Sequence, residues 1–273
     1  MQFKGKTVLI TGSSRGIGEA IAIRLAKEGA NIVIIAKSIT EDERLGGTIY
    51  STAEKVVAAG GKALPIKCDI RDEEQIIEAV NLAIATFGNI DIVVNNASAI
   101  SLNNTEQMQT KKFDLIHDIN VRGTFLVTKH CIESLKKSEN PHILTLSPPI
   151  DLSPKWIAPY IGYTMSKYNM SMMTLGWAWE LKKYGIAANS LWPVTTIATA
   201  AVQNLLGGQL LVNKSRKPEI LADAAFFILQ QPAKECTGNL YLDETILKNA
   251  GITNLEHYSV TPGSTLQKDL YIN

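Results

Sequence analysis

The chain has 273 residues, 45% of them hydrophobic and 19% charged, which is enough apolar material to bury one sizeable core. Lys and Arg number 27 against 26 Asp and Glu, and the resulting net charge of +1 creates no field that recommends nucleic acid or an anionic membrane as partner, so a small molecule is expected instead. The cysteines (Cys68, Cys131, Cys236) form no CxxC pair and the histidines no HExxH spacing, which excludes a disulfide framework and predicts buried thiols and no metal. No apolar run approaches the ~20 residues of a membrane helix, and a strand begins within a few residues of Met1, so no membrane span, no signal peptide and a cytoplasmic location are expected.

In chain order, short β-branched runs alternate with helix-length amphipathic stretches. Strands are predicted at 6–11, 30–37, 62–70, 89–97, 141–147, 186–193 and 238–243, and helices near 16–28, 48–59, 72–87, 107–137, 161–184 and 217–231. The strands are apolar almost throughout, as in a parallel sheet covered on both faces, so the fold class is α/β with a doubly wound seven-stranded sheet. No linker or repeat divides the chain. A single domain is therefore expected over 1–273, with a core at 1–243 and an extended tail at 244–273 packed over it. The polar, glycine-containing stretch at 38–50 follows the second strand and is a candidate binding loop.

The first motif is "TGSSRGIG", in which Gly12, Gly16 and Gly18 form a turn between a buried strand and a helix. Glycine lets backbone come close to a pyrophosphate, whose charge then faces the helix N–H groups, so Gly12, Ser13, Ser14, Arg15, Gly16, Ile17 and Gly18 are assigned to a dinucleotide. The second strand ends "IIAKS". Lys37 replaces the acid that would bind a ribose 2′-hydroxyl, and with Arg15 it suits a 2′-phosphate, so NADP(H) is preferred and NAD(H) is possible. Asp69 either accepts from the adenine amino group or caps the following helix. "NNAS" ends the fourth strand and places Asn95 and Ala97 beside a flat ligand. In "YTMSK", Tyr163 and Lys167 lie four apart on one helical face. A neighbouring ammonium and a positively charged nicotinamide would lower the tyrosine pKa and make it a proton donor and acceptor.

These motifs, with Asn120 in "NVRG", in this order and at these strand ends, resemble the classical short-chain dehydrogenase/reductase family over about residues 1–243. The resemblance implies a Rossmann domain and hydride exchange between a nicotinamide and a carbonyl or alcohol carbon. It implies Tyr163 as acid, Lys167 lowering its pKa and binding the nicotinamide ribose, Asn120 holding a relay water and Ser147 on the substrate oxygen. It also implies a homodimer or homotetramer packed through the two long helices. Two departures stand out. Ser147 is followed by Pro148, where the family has paired serines, and its spacing to Tyr163 is longer by about two residues, so either Ser147 or Ser153 serves, or no serine assists. After the sixth strand the family's Pro-Gly turn is Pro193-Val194, with one extra residue before Thr199, the candidate for the carboxamide. Trp156, Met165, Trp192 and "TTIATAAVQNLL" are read as lining an apolar pocket for a lipid- or steroid-like substrate. The alternative reading is a decayed dinucleotide-binding sensor or scaffold, which the irregular serine supports and the intact Tyr163, Lys167 and Asn120 oppose.

Overall fold

The computed structural model describes residues 2–42 and 44–273. Among them, β1 (Thr7–Thr11), α1 (Gly16–Ala26), β2 (Asn31–Ala36), α2 (Ile49–Ala58), β3 (Lys62–Lys67), α3 (Glu73–Phe87) and β4 (Ile92–Asn95) form the first half. Then come α4 (Thr110–His117), a π-helical turn (Asp118–Gly123), α5 (Thr124–Leu135), β5 (His142–Thr145), α6 (Pro154–Ile157), α7 (Ile161–Glu180) and β6 (Ala187–Trp192). α8 (Gly208–Asn213), α9 (Glu219–Leu229), β7 (Leu240–Leu242) and α10 (Asp243–Asn249) complete it.

The strands pair in parallel in the order β3-β2-β1-β4-β5-β6-β7. Alternation along each strand sends Val8, Ile10, Ile32 and Ile34 to one face, against α1 and α9, and Leu9, Val33, Ile35 and Val93 to the other, against α3, α5 and α7. Both faces are therefore apolar and the strands read as continuous hydrophobic runs. The chain winds outward in opposite directions from β1 and β4, and that reversal leaves a crevice at the carboxyl ends of these strands.

Three departures from the sequence reading affect the site. The long helix expected at 107–137 is broken by the π-helical turn, which inserts an extra residue and holds Asn120 fully buried. The N-cap of α3 is Asp72, which accepts from the N–H groups of Glu74 and Gln75, so Asp69 is not the helix cap. The segment after 243 is not wholly extended: α10 begins at Asp243, whose buried carboxylate accepts from the N–H groups of Val194 at 2.9 Å and Glu244 at 2.7 Å. That anchoring is tertiary, and "DETILKN" has too few apolar positions to show a period. Beyond a 3-10 turn (Glu256–Tyr258), residues 267–269 run antiparallel to 194–196.

Candidate active site and cofactor cleft

A cleft of about 700 Å³ opens at the switch point. Its floor is the glycine turn. A Cβ on Gly12 would stand 2.8 Å from Ala97 Cα, and one on Gly18 would stand 2.5 Å from Asn96 Nδ2, so these positions admit no side chain. Gly16 has φ of 61° and faces the cleft, where an added Cβ would meet only Thr199, at 3.5 Å. The turn is held by Asn96, whose Nδ2 donates to the carbonyls of Thr11 and Gly12 at 2.9 and 3.0 Å. Ser14, Arg15, Ile17 and Ala97 also line the cleft. Ser13 is buried and donates to Ile10 O at 2.8 Å, a bond internal to the turn. Asn95 is a correction. Its side chain is buried and donates to Thr128 Oγ1 at 2.9 Å, so the polar neighbour lining the cleft is Asn96. The backbone alternates at the end of β4, and one residue's shift reverses the side-chain face. A turn whose Gly12 and Gly18 leave no room for a side chain, above a helix N-terminus, fits a dinucleotide.

At the β2 end, Lys37 and Arg15 both line the cleft. Arg15 is held in place: Nε donates to Gly46 O at 2.6 Å, and Nη2 donates to Ser38 Oγ and Gly47 O at 2.9 Å each. It thereby ties the glycine turn to the 38–48 loop. Lys37 Nζ lies 3.7 Å from Asp69. The Asp69 carboxylate also accepts the Arg71 guanidinium, and that bond, opposed by burial, holds it below the usual carboxylate range. Among the described residues the acid paired with Lys37 is thus shared with Arg71.

At the other end, α7 presents Tyr163 and Lys167 one turn apart, both buried at 4% and 2% exposure. Lys167 Nζ donates to Leu146 O at 2.6 Å, lies 3.5 Å from Ser98 Oγ, and sits 5.0 Å from the Trp192 ring centre. Burial pulls its pKa down to about 7, with Asp269 acting the other way. Asn120 accepts from Ala99 N–H at 2.8 Å and donates to Ala99 O at 2.9 Å and Ser166 Oγ at 3.0 Å. This locks the π-turn to the strand-four loop and to α7. Ser147 follows Leu146, the residue that holds Lys167. Its fully buried hydroxyl has no partner among the described residues. An unmatched buried hydroxyl costs about 1–3 kcal/mol, and a ligand oxygen would remove that cost. Ser153 lies six residues on, at the start of α6, with its N–H donating to Asp151 Oδ1 at 2.8 Å.

Other expectations are revised. Burial first, then Tyr271 and Asp269, hold the Tyr163 hydroxyl well above the ordinary tyrosine range, and the Lys167 ammonium donates to the Leu146 carbonyl. Met165 is 47% exposed and lines no site pocket. Of the "TTIATAAVQNLL" stretch, Ala198, Thr199, Ala200, Ala201 and Leu205 line the cofactor cleft, while Pro193 directly follows β6. Trp156 and Trp192 belong to one apolar cluster with Tyr163 and Tyr271, in which both tryptophan rings lie against that of Tyr271. Sequence reasoning missed Asn96, Ser98, Ser166, Asp269 and Tyr271. The first two lie inside the "NNAS" motif, and Ser166 lies inside "YTMSK". Asp269 and Tyr271 carry no local signal at all. Among the described residues no cluster of His, Cys, Asp and Glu could hold a metal, and no helix is long and apolar enough to cross a membrane. Cys68, Cys131 and Cys236 are buried free thiols, as expected.

A parallel sheet wound outward from a glycine turn, with a tyrosine and lysine at its far end, defines a nucleotide-binding oxidoreductase fold, and the chain belongs to the short-chain dehydrogenase family, matching it over residues 6–208. It is 54% identical to Hydroxysteroid dehydrogenase-like protein 2 of Bos taurus over 269 residues, covering 98% of this chain but 64% of that relative. The chain therefore spans just under two-thirds of the length of that curated relative. Among solved structures, a short chain dehydrogenase of Mycobacterium thermoresistibile is 52% identical with a TM-score of 0.94, covering 99% of this chain and 96% of its own. A short-chain dehydrogenase/reductase of Serratia marcescens is similar at 27% identity with a TM-score of 0.75, covering 89% of this chain and 97% of its own.

Proposed function

We propose that this protein is an NADP(H)-dependent oxidoreductase that interconverts a carbonyl and an alcohol on an apolar, lipid- or steroid-like substrate, in the cytoplasm and as a homodimer or homotetramer. The observation that carries the reading is the buried pair Tyr163 and Lys167 on one face of α7, with Lys167 Nζ 3.5 Å from Ser98 Oγ, a residue lining the glycine-floored cleft, and with Asn120 bonded to Ser166 of the same helix. Gly12, Gly16 and Ser14 would hold the pyrophosphate, Arg15 and Lys37 the 2′-phosphate, and Ser98, Thr199 and Lys167 the nicotinamide end. Once bound, the nicotinamide supplies or accepts hydride.

The protein's own part is orientation and proton handling. Tyr163 is held protonated by its buried setting and would donate its proton to the oxygen of a carbonyl being reduced. Lys167 would stabilise the phenolate that remains, at closest reach of Leu146 O and Ser98 Oγ. The hydroxyls of Ser147 and Ser153 are both buried and unmatched among the described residues; of the two, Ser147 directly follows Leu146, whose carbonyl holds Lys167, and on that ground it is the better candidate to donate to the substrate oxygen. Asn120 fixes the Ala99 backbone and Ser166, and so sets the position of α7 relative to the cleft. Trp156 and Trp192 supply an apolar surface around Tyr163. In assays of ketones and alcohols with NADPH and NADP⁺, Tyr163→Phe is expected to lower kcat by about 10²–10⁴-fold while leaving NADPH binding intact. Turnover that survives in this variant would overturn the role of Tyr163. Cofactor binding with no turnover of any substrate by the wild type would favour a sensor or scaffold.

A further inference from the structure

Residues 267–272 double back over the site. Thr196 N–H donates to Gln267 O at 2.9 Å, Asp269 N–H to Val194 O at 3.1 Å, and Trp192 Nε1–H to Leu270 O at 2.9 Å. These bonds tie the segment to the chain that leaves β6. Tyr271 then turns with φ of 68°, the only non-glycine residue with positive φ among the described residues. A bulky side chain is held in that left-handed conformation only where its contacts over-determine it. Here the ring centre lies 5.2 Å from that of Tyr168, 5.8 Å from Trp156 and 6.1 Å from Trp192, and the hydroxyl lies 3.1 Å from Thr164 Oγ1. Asn273 Nδ2 donates to Asp151 Oδ2 at 3.1 Å, which joins the same segment to the turn before α6.

The result is that Tyr163 shares one apolar cluster with Tyr271, flanked by Leu270 and Ile272, and keeps only 4% exposure. The hydroxyl that a carbonyl would have to reach is thus enclosed in the cluster to which Tyr271 belongs. We propose that Tyr271 is the specificity-determining residue of the site: its ring, backed by Trp156 and Trp192, decides how bulky an apolar ketone or alcohol comes within reach of Tyr163. This rests on the reading of Tyr163 as the acting acid.

The test pairs an accessibility readout with a kinetic one. Hydroxyl-radical footprinting with mass spectrometry measures the oxidation rate of Tyr163 in the protein without cofactor. Steady-state assays with NADPH compare kcat/KM for α-tetralone and cyclohexanone. Tyr271→Ala is expected to raise Tyr163 oxidation at least threefold and the tetralone-to-cyclohexanone ratio at least fivefold, through KM. Tyr271→Phe, which keeps the ring, should stay within twofold of wild type in both. Tyr271→Leu retains apolar packing and is read in the same assays, with an intermediate shift expected, should the alanine variant fold poorly. Unchanged Tyr163 oxidation overturns the proposal, and so does a ratio that stays constant while both substrates weaken alike. If oxidation rises as expected but neither wild type nor variants reduce any ketone, the functional reading fails, and the selection role fails with it. If turnover is intact and the footprint does not move, only the role of Tyr271 fails.

Discussion

At the scale of single residues, the site depends on which polar groups are already satisfied. Arg15 spends its guanidinium on Ser38 and on the Gly46 and Gly47 carbonyls, so it acts as a brace that also presents positive charge to the cleft. Lys37 is the freer cation, 57% exposed at its side chain, and its acidic neighbour Asp69 is shared with Arg71. A charge-assisted bond to phosphate contributes about 1.5–3 kcal/mol, and 1.4 kcal/mol is tenfold in affinity. Lys37→Asp is therefore expected to weaken NADPH binding at least tenfold more than NADH binding, read by titrating both cofactors. Equal losses would remove the 2′-phosphate assignment. The lysine and the glycines were legible in the sequence because each sits at a strand end whose chemistry is local. Asn95 and Asn96 were not separable, because which of two adjacent asparagines faces the cleft depends on strand register.

At the scale of elements, helix ends and one irregular turn set the geometry. α2 starts at a reciprocal capping box, in which Thr48 Oγ1 accepts from Ser51 N–H at 3.0 Å and Ser51 Oγ accepts from Thr48 N–H at 2.8 Å. The same residues end the loop that binds Arg15. Thr48→Ala is expected to cost about 1 kcal/mol and to lower Tm by roughly 2–4 °C, measured by calorimetry. Loss of less than a few tenths of a kcal/mol would show that the loop, not the cap, holds the helix start. The π-turn at Asp118–Gly123 was not legible, since "DINVRG" reads as ordinary interrupted helix. Only the fit of Asn120 between the Ala99 backbone and Ser166 reveals why the extra residue is kept. The seven strands and α1, α2, α3, α7 and α9 were legible from periodicity, whereas α4 and α5 were read as one helix and α6, α8 and α10 were too short to carry a period.

At the scale of the whole molecule, stability against pH follows from groups that burial holds away from their ordinary pKa. His142, in β5, is fully buried, with Nε2 bonded to Gln231 O at 3.0 Å, and burial lowers its pKa to about 4. The unfolded chain, with a histidine near 6.5, binds that proton first as pH falls. Stability from this group is therefore intact above pH 6.5 and is lost on the way to pH 4, by about 3 kcal/mol in all. Burial acts oppositely on Asp243 and Asp269, raised to about 6 and about 7, which favour the fold as pH falls and disfavour it as pH rises from about 4. The two effects overlap, so the measurement is a difference. In denaturant melts, wild type is expected to lose up to about 3 kcal/mol more than His142→Gln between pH 7 and pH 4. Parallel losses would show that the histidine is not responsible. The sequence by itself determined the sheet order's raw material, the glycine turn, the cation at the end of β2 and the tyrosine–lysine pair, because each is written within a few residues and obeys a short period. Only the tertiary structure decided that Tyr271, about a hundred residues beyond Tyr163, shares its apolar cluster, that the Lys167 ammonium meets the Leu146 carbonyl, and that burial, with Tyr271 and Asp269, raises the tyrosine's pKa. Those outcomes arise from chain segments meeting across the fold, where burial and backbone pairing act between residues whose neighbours in sequence give no sign of them.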